Sequence, residues 1–143
     1  MNDLYRIALH EAGHAAVASA LGGRVDSIKA DRNGGEVRAS IPYEKALHFH
    51  CAYFFAGAMA ERLILGLLDA SPSPEDQAAV DSLLAGADTQ ERVRTIEKAW
   101  PLAAMLVRRN QTTIERMARY LETKGSASSA ALKTLLPKRS TRA

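Results

Sequence analysis

The sequence predicts a mainly α fold: a compact helical domain with one small β-hairpin. Three observations predict it. Two long runs, 'IALHEAGHAAVASALGG' (7–23) and 'CAYFFAGAMAERLILG' (51–66), are almost wholly apolar or small, and both close on glycine, the residue that most often ends a helix. Between them lie two short runs of alternating apolar residues, split by Asn33-Gly34-Gly35, a hairpin-turn signal. Beyond residue 74 the apolar spacing is again helical, most clearly in 'TTIERMARYLE'.

Each element follows from local chemistry. Asp3 can cap a first helix over about 4–21, which Gly22 and Gly23 terminate. 'RVDSIKA' and 'EVRASI' place Val25, Ile28, Val37 and Ile41 on strand faces, and Pro42 stops the second strand. A long helix is expected over about 43–65, ending at Gly66. The loop 'DASPSPED' leads to a helix from Pro74 or Glu75 to Leu84. Asp88 or Thr89 caps the next helix, which Pro101 is expected to kink or split. An amphipathic helix closes at Gly125, and Ser126 or Ser128 caps a last short one to Leu136. No internal repeat occurs. The expected organisation is one domain over 1–136 and a basic, disordered tail over 137–143 that carries Lys138, Arg139 and Arg142.

At 143 residues the chain is long enough for one real core. A formal charge of +3, much of it in the tail and at Arg108–Arg109 without aromatics between, argues against a nucleic-acid partner. Cys51 is the only cysteine, so no internal disulfide forms, and a reducing, cytoplasmic location is expected. No signal peptide is visible, and Glu61 and Arg62 interrupt the most apolar stretch, so no membrane segment is expected either.

The chemistry concentrates in His10-Glu11-Ala12-Gly13-His14, an H-E-x-x-H pattern. Three ionisable groups in a helix otherwise built for burial cost several kcal/mol unless each is paired or bound to a metal. Helical positions four apart differ by roughly 40° in azimuth and about 6 Å in height, so both imidazoles can reach one ion. Glu11 lies about 100° round from His10, near enough to hold a water without being a ligand. Zinc bound this way lowers its water's pKa, and the glutamate accepts the proton as the water attacks a carbonyl. The plainer alternative is a His-x-x-x-His pair satisfied inside the core. Ala12, Gly13, Ala15 and Ala16 weigh against it, because a mid-helix glycine costs about 1 kcal/mol relative to alanine and implies close approach by another element.

A catalytic zinc takes three protein ligands plus water, so two histidines leave it one short. His48 and His50, two apart on a helix, face different ways. Glu61 and Asp76 are the better candidates. From the residues alone Glu61 has the stronger claim, as a lone carboxylate in an apolar helix, although Arg62, nearby backbone or an imidazole N–H can also satisfy it. Asp76, at the start of its helix, has a plain use against the helix dipole.

'HEAGHAAVASALGG', 'FFAGAMAERLILG' and 'SPSPEDQAAVDSL' together resemble the peptidase unit of the FtsH-type, AAA-linked zinc metalloproteases, over about residues 3–136. That family has an H-E-x-G-H helix, a small β-hairpin, an A-G-x-x-A-E helix ending in glycine, and a helix bearing a ligand aspartate. The resemblance implies a zinc-metallopeptidase domain with zinc held by His10, His14 and Asp76, Glu11 as catalytic base, and Glu61 as a buried carboxylate supporting the site. The chain departs from the family in lacking a G-x-x-x-x-G-K-[ST] P-loop. It therefore looks like a free-standing peptidase domain, or one working beside a separate ATPase or unfoldase partner.

The expected function is zinc-dependent endoproteolysis of unfolded or flexible polypeptide. The rival readings are a zinc-binding adaptor without turnover and a plain helical interaction protein without metal. The second hairpin strand, short and stopped by Pro42, suits an exposed edge to which extended substrate adds, through Gly35, Glu36, Val37, Arg38, Ala39 and Ser40.

Overall fold

The structure, a computed structural model, describes residues 3–137. The chain orders as α1 (Asp3–Ala20), β1 (Arg24–Asp31), β2 (Gly34–Ser40), α2 (Leu47–Leu65), α3 (Pro74–Leu83), α4 (Thr89–Arg109), α5 (Gln111–Lys124), β3 (Ser126–Ala127) and α6 (Ser129–Leu135). The mainly helical expectation is met. The tail residues Lys138, Arg139 and Arg142 lie outside the described residues.

Helix α1 is the axle of the fold. Every residue from Ala12 to Ala18 is buried, with α2, α5 and the sheet packed around it. Side chains this small let the partners come close. A Cβ on Gly13 would sit 2.9 Å from the Ala56 carbonyl oxygen and 2.9 Å from Ala60 Cβ, so α1 and α2 meet almost backbone to backbone. The rest of the core is aliphatic, with Leu9, Val17, Ile28, Val80, Val107, Ile114, Met117 and Leu121 each less than 2 % exposed.

Three local expectations are corrected. Helix α2 begins at Leu47 rather than near Tyr43, because Pro42–Lys45 forms a turn closed by Lys45 N–H donating to the Pro42 carbonyl at 3.0 Å. That segment has no core face to bury: Tyr43 is 91 % exposed. Helix α4 is not split at Pro101. Pro101 and Glu97, whose carbonyl loses its partner, both lie on the exposed face, where water can replace the missing bond. The break comes at Asn110 instead, whose Nδ2–H donates to the Leu106 carbonyl at 2.8 Å.

The third correction concerns the sheet. Beyond the hairpin, β3 adds to β1 antiparallel, pairing Ile28 with Ala127, so the strand order is β2-β1-β3. Gly125, at φ 83°, turns the chain out of α5 and into this pairing, in a left-handed conformation that suits glycine. A two-residue strand carries no alternation for sequence reasoning to detect. Its consequence is positional: β1 is central and β2 is an edge. No helix among the described residues is long and apolar enough to cross a membrane.

The contact at Gly13 generates a stability prediction. Gly13→Ala gains about 1 kcal/mol in helix propensity, but overpacking against backbone costs about 1–3 kcal/mol. Urea or thermal melting should show a net loss of stability, and a midpoint at or above wild type would contradict the close α1–α2 approach.

Candidate metal centre

His10 and His14 lie one turn apart on α1 and face α2, whose groups hold both rings. His14, 3 % exposed, donates from Nδ1 to the Tyr53 carbonyl oxygen at 2.7 Å. His10 donates from Nδ1 to Glu61 Oε2 at 2.8 Å. With both Nδ1 protons committed in this way, each ring presents an unprotonated Nε2. The two Nε2 atoms are 3.1 Å apart, and Asp76 Oδ2 lies 3.1 Å from each. With both imidazoles neutral, three electron-pair donors form an equilateral triangle with no hydrogen between them. Such an arrangement is repulsive unless a proton or a cation sits at its centre.

The size of the triangle is compatible with a small tetrahedral cation. Ligand bonds of about 2.0–2.1 Å in tetrahedral geometry require donor atoms about 3.3 Å apart. The observed 3.1 Å edges match that spacing closely. Two imidazole nitrogens and a carboxylate oxygen are also a donor set suited to a first-row divalent metal. Glu11 stands beside the triangle: ligand atoms of His10, Glu11 and His14 all fall within 4.8 Å of one another.

Of the two carboxylates in competition, Asp76 completes the triangle and Glu61 holds His10 from behind. Glu61 is 5 % exposed and shared between two cations or dipoles, since Arg6 Nε donates to its Oε1 while His10 donates to Oε2. Of the partners open to Glu61 in the sequence, the imidazole N–H is the one found, and Arg62 is engaged elsewhere. Its guanidinium donates to the Ala70 carbonyl and lies over Trp100. His48 and His50 do not join the cluster; His48 packs against Phe49, with ring centroids 4.4 Å apart.

Four contributors were not singled out from sequence. The Tyr53 carbonyl is a backbone atom and leaves no signature. Arg6, four residues before His10 on one helix face, was readable by its spacing. Gly57 leaves space for the His10 ring, since a Cβ there would lie 2.5 Å from its Nε2. Ser73 caps α3 by accepting from Asp76 N–H at 3.1 Å, which fixes the start of the helix that carries the third donor. Gly35, on the strand, also lies against Glu11: a Cβ there would lie 2.5 Å from Glu11 Oε2.

The cluster opens into a cavity of about 710 Å³, lined by α1, the start of β2, Tyr53, Phe54 and the loop before α3. Of the strand residues expected to meet substrate, Gly35, Glu36 and Val37 line this cavity, whereas Arg38, Ala39 and Ser40 do not. Arg38 instead pairs with Glu36 on the exposed surface at 2.9 Å.

Electrostatics follow from the same contacts. Burial draws the Asp76 carboxyl up, but its close contacts with the His10 and His14 imidazoles hold it well below the usual carboxylate range. Burial likewise opposes charge on His10, yet the hydrogen bonds to Asp76 and Glu61 and the charge of Glu11 raise it to about 9. Burial pushes Glu11 up, against the pull of His14 and His10. Glu61 is lowered, because its bonds to His10 and Arg6 outweigh burial.

No protein-family model matches this chain, and no curated protein matches it.

A proton on His10 is the natural occupant of the triangle when metal is stripped away, and this sets a pH dependence. The His10 pKa is raised from 6.5 to about 9, so its contribution to stability is full below 6.5 and is lost as pH rises through about 9. Chelator-treated protein should therefore lose stability between pH 6.5 and 9 in urea titrations, and His10→Gln should remove that limb. A flat profile for the wild type would reject the protonated pairing.

Proposed function

We propose that this chain is a zinc-dependent metalloendopeptidase that hydrolyses peptide bonds of unfolded or flexible polypeptide, in the manner of the FtsH-type peptidase unit its motifs resemble. The observation that carries the reading is the triangle of His10 Nε2, His14 Nε2 and Asp76 Oδ2, with 3.1 Å edges, both other ring nitrogens engaged, and an acid beside it. Three protein donors facing a cavity leave a fourth position open, as catalytic zinc sites do and closed structural sites do not.

Bound there, zinc supplies Lewis acidity, which polarises a carbonyl and brings the pKa of a water towards neutrality. His10 and His14 would hold the ion through Nε2, their rings fixed by Glu61 and the Tyr53 carbonyl. Glu11 takes the proton of the attacking water on a carboxylate oxygen and passes it to the departing amine nitrogen. Its partial burial makes that carboxylate a better base than one in free solution. Gly35 leaves room for the carboxylate, so the base and the first residues of β2 share one wall of the cavity.

The edge position of β2 supports a mode of substrate binding. Among the described residues no strand pairs with its outer side. An extended peptide that adds there by main-chain hydrogen bonds runs beside Glu11, with Gly35, Glu36 and Val37 as the inner contacts and Arg38, Ala39 and Ser40 continuing the edge. Such binding reads backbone rather than side chains, which suits flexible polypeptide as the substrate class. A separate ATPase or unfoldase, operating in the cytoplasm, is the partner this reading calls for when substrates are folded.

Two sets of variants test the reading. Glu11→Gln should retain about one zinc per chain and lose about 10²–10⁴ in the rate of casein cleavage. Gly35→Ala, which displaces the Glu11 carboxylate, should also keep zinc and lower kcat by up to about 10²-fold. Zinc-loaded wild type that fails to cleave would instead make the chain an adaptor that keeps the site. For the ligand assignment, Asp76→Ala should weaken zinc far more than Glu61→Ala, whose loss should be the 10- to 100-fold, roughly, of an outer partner. Competition with a chromophoric chelator measures both, and the reverse order would make Glu61 the ligand.

A further inference from the structure

The third ligand is carried by the most lightly anchored helix at the site. Val80 is the only residue of α3 that is fully buried, and α3 packs on α2. His10 and His14, by contrast, ride on the helix around which the core is built. The position of Asp76 therefore depends on what holds the chain just before α3.

One side chain from α2 reaches that segment. Arg62 Nε donates to the Ala70 carbonyl at 2.6 Å, and its guanidinium carbon lies 4.4 Å from the centroid of Trp100. Trp100 in turn stacks on Phe55, with ring centroids 4.1 Å apart and 4° between planes, so the arginine is braced by α4 and α2 together. Ala70 is 7 % exposed, and its own N–H donates to the Leu67 carbonyl at 2.9 Å. From Ala70 the chain to Asp76 has little freedom. Pro72 and Pro74 each fix one backbone dihedral. Ser73 then binds the Asp76 N–H through its hydroxyl and the Gln77 N–H, at 2.8 Å, through its carbonyl. A constraint applied at Ala70 is thus transmitted to Asp76 through a short, stiff segment.

We infer that Arg62 is a positioning residue for the metal centre: by clamping the Ala70 carbonyl against Trp100 it sets the loop that delivers Asp76 to the two imidazoles. The inference rests on the proposed zinc site. Adjacent residues of α2 then serve different ligands, Glu61 orienting His10 and Arg62 orienting the approach of Asp76.

The test pairs zinc affinity with local hydrogen exchange. Arg62→Met keeps an apolar stem over Trp100 but removes the donor, and it should weaken zinc by about 10- to 100-fold in chelator competition. Arg62→Lys, which restores a donor and a cation, should recover part of that loss. In an Asp76→Ala background, Arg62→Met should produce no further weakening, because the ligand it positions is gone. An equal loss in that background, or no loss in the wild-type one, overturns the inference. In the metal-free chain, Arg62→Met should speed exchange at the Asp76 and Gln77 amides while α1 and α4 stay protected. If wild type binds no zinc, the metal reading fails by itself, and the exchange result alone decides whether Arg62 sets this loop. Unchanged exchange at those two amides rejects it.

Discussion

Two hydrogen bonds from α1 to α2 govern the rest of the structure: His14 Nδ1 to the Tyr53 carbonyl and His10 Nδ1 to Glu61. They fix the tautomer and the plane of each ring, and so leave two Nε2 lone pairs facing the same point. For that geometry to exist, the two helices must lie closer than ordinary side chains permit. Gly13 against Ala56 and Ala60 provides the approach, and Gly57 makes room for the ring itself. The run of alanines and glycines in both helices is thus the packing condition for the site, over and above a way of making core.

The same geometry explains how so many ionisable groups are tolerated. Isolated, a buried carboxylate or imidazolium costs several kcal/mol. Here hydrogen bonds run in series from Arg6 to Glu61 to His10 to Asp76, and no fully buried side-chain polar atom among the described residues lacks a partner. Metal-free, the network closes with a proton on His10. A divalent cation bound at the centre of the triangle, as proposed, would replace that proton and offset the charge of Asp76 as well. Proton and metal would then compete for one position.

Much of this was legible in the sequence because it lives in spacing. The pair His10 and His14 needs only helical geometry, and glycine or proline punctuation located most element ends. Choosing between Asp76 and Glu61 was different. The residues alone favoured Glu61, since the need of a buried carboxylate for a partner is visible in a helix pattern, whereas a loop's path is not. The partner proved to be His10 Nδ1 with Arg6, not Arg62. What spacing could not supply was contact between distant segments: the Tyr53 carbonyl, the two-residue strand β3, and the path of the loop from Ala70 to Asp76. These depend on tertiary packing and have no local pattern.

Glu11 is the residue that separates a metal store from a hydrolytic site. A structural zinc is best served by four protein ligands and exclusion of water. Glu11 lies within reach of the same point, yet Asp76, from a different helix, occupies the third corner of the triangle. Its carboxylate instead occupies the cavity wall, in space that only a glycine at position 35 leaves open. A fold serving stability alone gains nothing from a partly buried acid beside the triangle, because burial makes its charge costly. The cost is intelligible if the carboxylate must receive a proton during a reaction, since burial also raises its basicity. On the proposed function, Glu11, Gly35 and the outer edge of β2 serve one purpose, with the acid, its space and the proposed substrate track on the same wall.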